Sequence, residues 1–183
     1  MYGARFTIPP SDKVTTFLWD FYDELKSMTD LPIILKGITS VADAKIAASK
    51  GVAGIVLSNH GGRHLDGSPA PLAVALAIHD SAPEVFKQTE VYADCGVRYG
   101  TDVLKLLALR VKAVGLGRSF MYANIYGTPG VERAVELLKT DILHDASNLG
   151  VTDLSQLDDS YVSLSLSSPF RANQANRGHF LPA

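Results

Sequence analysis

Four short apolar runs, each closed by a glycine or a polar residue and each followed by a helix-like stretch, constrain this chain more than any other feature. They occupy residues 31–37, 53–58, 90–94 and 113–117. Their ends read Lys36-Gly37, Ser58-Asn59-His60, Asp94-Cys95-Gly96 and Gly117-Arg118. Apolar runs bounded by turn signals suit buried strands. Alternation of strand and helix implies a parallel sheet covered by helices. Two architectures meet that pattern: an open doubly wound sheet, and part of a (β/α)8 barrel. In both, chemistry collects at the carboxyl ends of the strands, which is where these polar ends fall. No Gly-x-Gly-x-x-Gly opens the first unit, and this counts against a dinucleotide-binding sheet.

The segments between the runs carry helix signals. Residues 16–28 place Phe17, Phe21, Leu25 and Met28 on one face. Ser40, followed three residues later by Asp43, opens a helix that reaches Lys50, with Gly51 as its left-handed stop. A helix over 71–79 turns Leu72, Ala75 and Leu76 inward, and Ser81-Ala82-Pro83 breaks it. Residues 85–89 fit either helix or strand. Further helices are expected over 101–109 and 120–126, then a turn at Gly127-Thr128-Pro129-Gly130. The longest helix is expected over 131–146, with Val131, Ala134, Val135, Leu138 and Ile142 as its apolar stripe. Residues 152–157 suit one or two more turns. The domain is thus expected over 16–162, between an irregular segment over 1–15 and a flexible tail over 163–183 rich in serine, asparagine and arginine.

Composition narrows the function class. With 183 residues the chain is long enough for one domain with a core. A net charge of -2 offers no long-range attraction to nucleic acid or to anionic membrane. The single cysteine, Cys95, allows neither an intrachain disulfide nor a cysteine-built metal site, and no metal is expected. No apolar run is long enough to span a membrane. The first ten residues lack a signal-peptide core. An intracellular, cytoplasmic location is expected, with mitochondria and peroxisomes also compatible.

The candidate chemistry lies at the strand ends. His60 sits on a glycine-rich turn; a histidine there is as often a surface residue as a base, but its pKa suits proton abstraction near neutral pH. Arg63, three residues on, forms either a surface ion pair or a planar clamp for a substrate carboxylate. His64 reads as solvated and Asp66 as a turn residue. Lys36 either snorkels to water or neutralises charge in a barrel mouth. The loops at Asp94-Cys95-Gly96-Val97-Arg98 and Gly117-Arg118 suit phosphate, the arginines supplying charge; two ordinary turns with solvated arginines fit the spacing as well. Cys95 has no neighbouring histidine in sequence to make it a nucleophile.

Assembled, these motifs resemble the FMN-dependent α-hydroxy acid dehydrogenase family, which includes glycolate oxidase, lactate oxidase and flavocytochrome b2. The matching stretches begin at Leu31-Pro32-Ile33-Ile34, at Ser58-Asn59-His60-Gly61-Gly62-Arg63, at Asp94-Cys95-Gly96-Val97-Arg98 and at Gly117-Arg118, in the family's order and separations. The resemblance covers residues 19–162. It implies the C-terminal half of a (β/α)8 TIM barrel, four parallel strands with flanking helices, and FMN as cofactor. It implies that His60 is the base acting on a small L-2-hydroxy acid and that Arg63 binds its carboxylate. Lys36 would lie against the flavin N1 and O2 edge, and Ser58 would contact the isoalloxazine. Asp94, Cys95, Gly96, Val97 and Arg98, with Gly117 and Arg118, would hold the ribityl phosphate. The residues do not specify the electron acceptor; oxygen, a quinone or a separate cytochrome all fit.

The chain departs from the family pattern in three places. Cys95 stands where the family has the second residue of Asp-Gly-Gly. Arg110-Val111 replaces Gly-Ala, which at a left-handed position costs about 1 kcal/mol. His64 replaces a glutamine or similar residue. Length is the largest departure: a whole barrel takes roughly 250 residues. A fragment, a truncated product, or a half that pairs with a second copy or a complementing half barrel are the expectations. A half barrel that has kept its motifs but lost activity is the alternative function; a flavin-dependent isomerase or a lyase is disfavoured by His60 beside Arg63.

Overall fold

The computed structural model describes residues 18–162, so the expectations for 1–15 and 163–183 lie outside the described residues. The strands are β1 (Ile34–Ile38), β2 (Gly54–Leu57), β3 (Glu90–Ala93) and β4 (Ala113–Val114). They form one parallel sheet in the order β1-β2-β3-β4. A doubly wound sheet reverses its strand order at a switch point. Strictly sequential order, with a helix after every strand, is the arrangement of a (β/α)8 barrel. These four units are the C-terminal half of one.

Register decides which side chains meet the helices. Leu35, Ile55 and Val91 are aligned, as are Ile38, Leu57 and Ala93. Ile55 and Leu57 are fully buried, and Val91 and Ala93 nearly so. Helices α2 (Val41–Ser49), α3 (Pro71–Ser81), α4 (Val85–Gln88) and α5 (Gly100–Ala108) pack over this side, α2 and α3 against the strand that precedes them and α4 and α5 against the strand that follows. The alternate residues form the other face, where Lys36, Val56, Tyr92 and Ala113 align. Ile34 on that face is exposed. There Glu90 accepts hydrogen bonds from Tyr92 and Lys112.

Local signals account for most boundaries. Ser40 Oγ accepts from Asp43 N at 3.1 Å and caps α2. Gly51 follows that helix at φ 67. Asp102 caps α5 by accepting from the backbone N–H of Arg98 and Tyr99 at 3.0 and 3.1 Å. The long helix α7 (Gly127–Asn148) crosses α5 so closely that a Cβ on Gly100 would stand 2.6 Å from Ile142 N. Only glycine fits there. Leu104, Ala146 and Val151, with Ile142 and Leu157, make a small apolar cluster beneath that crossing. No helix among the described residues is long and apolar enough to cross a membrane.

Three sequence readings are corrected. Residues 127–130 are not a free turn but the first turn of α7, which follows α6 (Arg118–Ala123) and a single 3-10 turn. Proline is tolerated in a helix's first turn because the N–H it lacks would have no partner. The buried face of α3 is Pro71, Val74, Ala75 and Ile78, with Leu72 and Leu76 only half-buried. That helix is apolar nearly all round, so periodicity does not select a face. In α1 (Trp19–Ser27), Tyr22 is buried while Phe21 and Met28 are exposed.

Arg110 follows α5 at φ 67, with its N–H donating to Leu107 O. The left-handed region crowds any residue that carries a Cβ. Arg110→Gly is expected to stabilise the chain by about 1 kcal/mol in urea unfolding. Arg110→Ala keeps the Cβ and is expected to give no such gain; equal stability of the two variants would contradict the strain.

Candidate functional site

The carboxyl ends of β2, β3 and β4 open on one cleft of about 460 Å³. His60 and Arg63 line it from the turn after β2, Asp94 to Arg98 from the loop after β3, and Gly117 and Arg118 from the loop after β4. Three consecutive residues of the first turn, His60, Gly61 and Gly62, have φ of 56, 70 and 74. This left-handed run reverses the chain directly after the strand. Glycine accepts such a conformation freely; His60 is strained by it.

The turn is anchored from several sides. His60 N donates to Ser58 Oγ at 3.2 Å, and Gly62 N donates to Asn59 Oδ1 at 3.2 Å. Arg63 Nε donates to His60 O at 3.0 Å, which ties the guanidinium to the same turn, and Arg63 lines the cleft. Arg118 reaches across the cleft and donates from Nη2 to Gly61 O at 3.2 Å. A Cβ on Gly61 would come within 2.9 Å of that nitrogen.

Lys36 and Ser58 do not line the cleft; they stand beside it. Lys36 Nζ donates to Ser58 Oγ at 2.9 Å and pairs with Asp94 Oδ2 at 3.3 Å. Ser58 is buried, and its hydroxyl lies 3.5 Å from Cys95 Sγ. Burial pushes the Asp94 carboxyl up. Hydrogen bonds from Cys95 and Ser58 and the Lys36 charge outweigh it, so the group sits below the ordinary aspartate range and is ionised. The His60 pKa lies below its usual 6.5. Desolvation is the largest cause, then the positive charges of Arg63, His64 and Lys36; Asp94 opposes them. The imidazole is therefore neutral at physiological pH and able to accept a proton.

Lys36 pairs with the Asp94 carboxylate, and Arg63, Arg98 and Arg118 line the same cleft as Asp94. Glycines widen the cleft between them: a Cβ on Gly96 or Gly117 would meet no atom within 4 Å. The Arg98 N–H is committed to Asp102, so its side chain is the part that can meet an anion. The arrangement suits an elongated ligand with an anionic end, beside a small carboxylate held near a neutral base.

The sequence reading missed several cleft residues. Gly115, Leu116, Ser119, Met121 and Tyr122 also line it. The spacing Gly115-Leu116-Gly117-Arg118 was the available signal, since glycine at the end of a strand permits close approach; a Cβ on Gly115 would stand 3.1 Å from Asp94 Cβ. Nothing in the pattern of α6 marks Met121 or Tyr122. His64, read as solvated, is exposed but packs edge-on to the His60 ring, with centroids 4.7 Å apart.

Fold and cleft together define a half barrel whose strand-end rim carries His60 and three arginines. Residues 10–164 match the model of the FMN-dependent dehydrogenase family. L-lactate dehydrogenase (cytochrome) of Saccharomyces cerevisiae is 46% identical over 153 residues, which is 80% of this chain and 25% of that protein. 2-Hydroxyacid oxidase 2 of Bos taurus is 37% identical over 161 residues, 87% of this chain and 44% of that one. The recombinant flavin-binding domain of baker's yeast flavocytochrome b2 superimposes with a TM-score of 0.73 at 39% identity, covering 92% of this chain and 46% of that one. The chain belongs to the FMN-dependent dehydrogenase family, and it spans less than half the length of these relatives.

The charge set around His60 gives a measurable consequence. Histidine titration followed by NMR is expected to place the His60 midpoint below 6.5. Arg63→Met is expected to move it upward, because a neighbouring cation is removed. A midpoint at or above the ordinary value, or one indifferent to Arg63, would contradict the site electrostatics.

Proposed function

We propose that this cleft binds FMN and a small L-2-hydroxy acid, and that the chain takes part in oxidising that acid to the 2-oxo acid. One observation carries the reading: a neutral base and a fixed arginine share a turn that faces the same cleft as two further arginines and a glycine-widened loop. The fit to the flavin rests on that cleft. Arg98 and Arg118 supply charge for the phosphate, with Gly96 and Gly117 leaving room beside them. Asp94, Cys95 and Val97 complete the wall. Lys36 and Ser58 adjoin it, joined to Asp94 and Cys95 by the contacts described above.

FMN, when bound, accepts the two electrons that leave the substrate α-carbon. The residues do the rest. Arg63 holds the carboxylate with the guanidinium that its Nε bond to His60 O ties to the turn. That bond also sets the distance between clamp and base, so a bound hydroxy acid is delivered to His60. His60 takes up the substrate proton, and its depressed pKa keeps it unprotonated beforehand. Lys36, held by Asp94 and Ser58, keeps a positive charge next to the cleft. The relatives are named as both cytochrome-linked dehydrogenase and oxidase, which supports a cytochrome or oxygen as the electron acceptor, with a quinone as the further alternative.

Anaerobic spectroscopy separates turnover from mere flavin binding. With FMN bound, L-lactate or glycolate is expected to bleach the visible flavin band. His60→Gln is expected to retain FMN while bleaching at least about a hundredfold more slowly. Flavin that stays yellow with both acids would point to a binding half that has lost catalysis. Because His60 must be neutral, the bleaching rate is expected to fall as pH drops through its pKa, and that fall should lie below pH 6.5.

A further inference from the structure

Cys95, the second residue after β3, has φ 68, a conformation that crowds a residue bearing a Cβ. Its sulfur joins groups from three parts of the site. Gly61 N donates to Sγ at 3.0 Å. The thiol donates to Asp94 Oδ1 at 2.7 Å. Ser58 Oγ lies 3.5 Å away. Asp94 is ionised and faces Lys36, and a carboxylate can only accept a hydrogen bond. The proton between Asp94 and Cys95 therefore belongs to sulfur, and the sulfur lone pairs receive the Gly61 N–H. The side chain works as donor and acceptor at once.

The position of Gly61 gives this contact its meaning. Gly61 follows His60, and its peptide is held at both ends: Cys95 takes the N–H, and Arg118 donates to the carbonyl at 3.2 Å. The other anchors on the turn's amides come from Ser58 and Asn59, which adjoin the turn in sequence. Cys95 fastens one of those amides from the loop after β3, 34 residues away.

We propose that Cys95 is a positioning residue for His60, its thiol fastening the His60–Arg63 turn to the Asp94–Lys36 pair. The catalytic meaning of this bridge rests on the flavoenzyme reading above; the bridge itself does not. Alanine at this position keeps the Cβ and loses the bridge, whereas serine keeps a donor and an acceptor.

The test compares the chain with its Cys95→Ala and Cys95→Ser variants. Amide hydrogen exchange and His60 titration are followed by NMR, and FMN binding by flavin fluorescence. Cys95→Ala is expected to speed Gly61 exchange roughly fivefold, the worth of one hydrogen bond. The same variant is expected to move the His60 midpoint upward as the ring leaves its cationic neighbours. Cys95→Ser is expected to recover most of both effects, a rescue that a space-filling role would not give. Unchanged Gly61 exchange in Cys95→Ala, or serine behaving like alanine, overturns the proposal. Should Cys95→Ala not fold, Cys95→Gly suits φ 68 and carries the same test: fast Gly61 exchange supports the bridge, and wild-type exchange overturns it. Failure of the unaltered chain to bind FMN counts against the flavin reading alone, since the Gly61 and His60 measurements need no flavin.

Discussion

The site depends on the pairing of Lys36 with Asp94. Lys36 comes from β1 and Asp94 follows β3, so their 3.3 Å contact passes over the end of β2, where Ser58 accepts from the same lysine. One interaction thereby ties three strand ends together. Its Coulomb energy is modest, since the lysine is half exposed and water screens it. Its importance lies in direction: the pair fixes a cation beside the cleft and leaves a carboxylate whose second oxygen orders Cys95. Through Cys95 and Ser58 the order extends to the amides of Gly61 and His60.

Charge and strain are concentrated in the same place. The chain carries a net charge of -2, yet Arg63, Arg98 and Arg118 line one cleft, with the Lys36–Asp94 pair beside it. Desolvation, helped by Arg63, His64 and Lys36, keeps His60 unprotonated, so two of the cations that would meet an anion also favour the neutral imidazole. Among the described residues, the non-glycine positions with positive φ are His60, Cys95 and Arg110. Two of the three border the cleft. Strained backbone that persists beside a candidate base is held there by surrounding contacts, here from Ser58, Asn59, Cys95 and Arg118.

Much of this was legible in the sequence because a parallel sheet gathers the carboxyl ends of its strands along one rim. Residues as distant as His60 and Arg118 share the cleft at that rim, and the polar strand ends already marked it. The left-handed stop at Gly51 and the Ser40 cap were legible because their causes are local. The inward face of α3 was not, since a helix apolar on every side offers no contrast. The first turn of α7 was misread because Gly127, Pro129 and Gly130 signal a turn while the missing proline N–H costs nothing at a helix start. The Cys95 bridge was hidden for another reason. It joins residues far apart in sequence and exists only because both strand-end turns adopt positive φ.

Comparing FMN with riboflavin tests the central claim most directly, because the two ligands differ only in the phosphate. Equilibrium titration by flavin fluorescence is expected to show FMN binding at least about tenfold more tightly, the worth of one charge-assisted hydrogen bond from Arg98 or Arg118. Equal affinity for the two flavins, or binding of neither, would contradict the assignment of this rim as a flavin phosphate site.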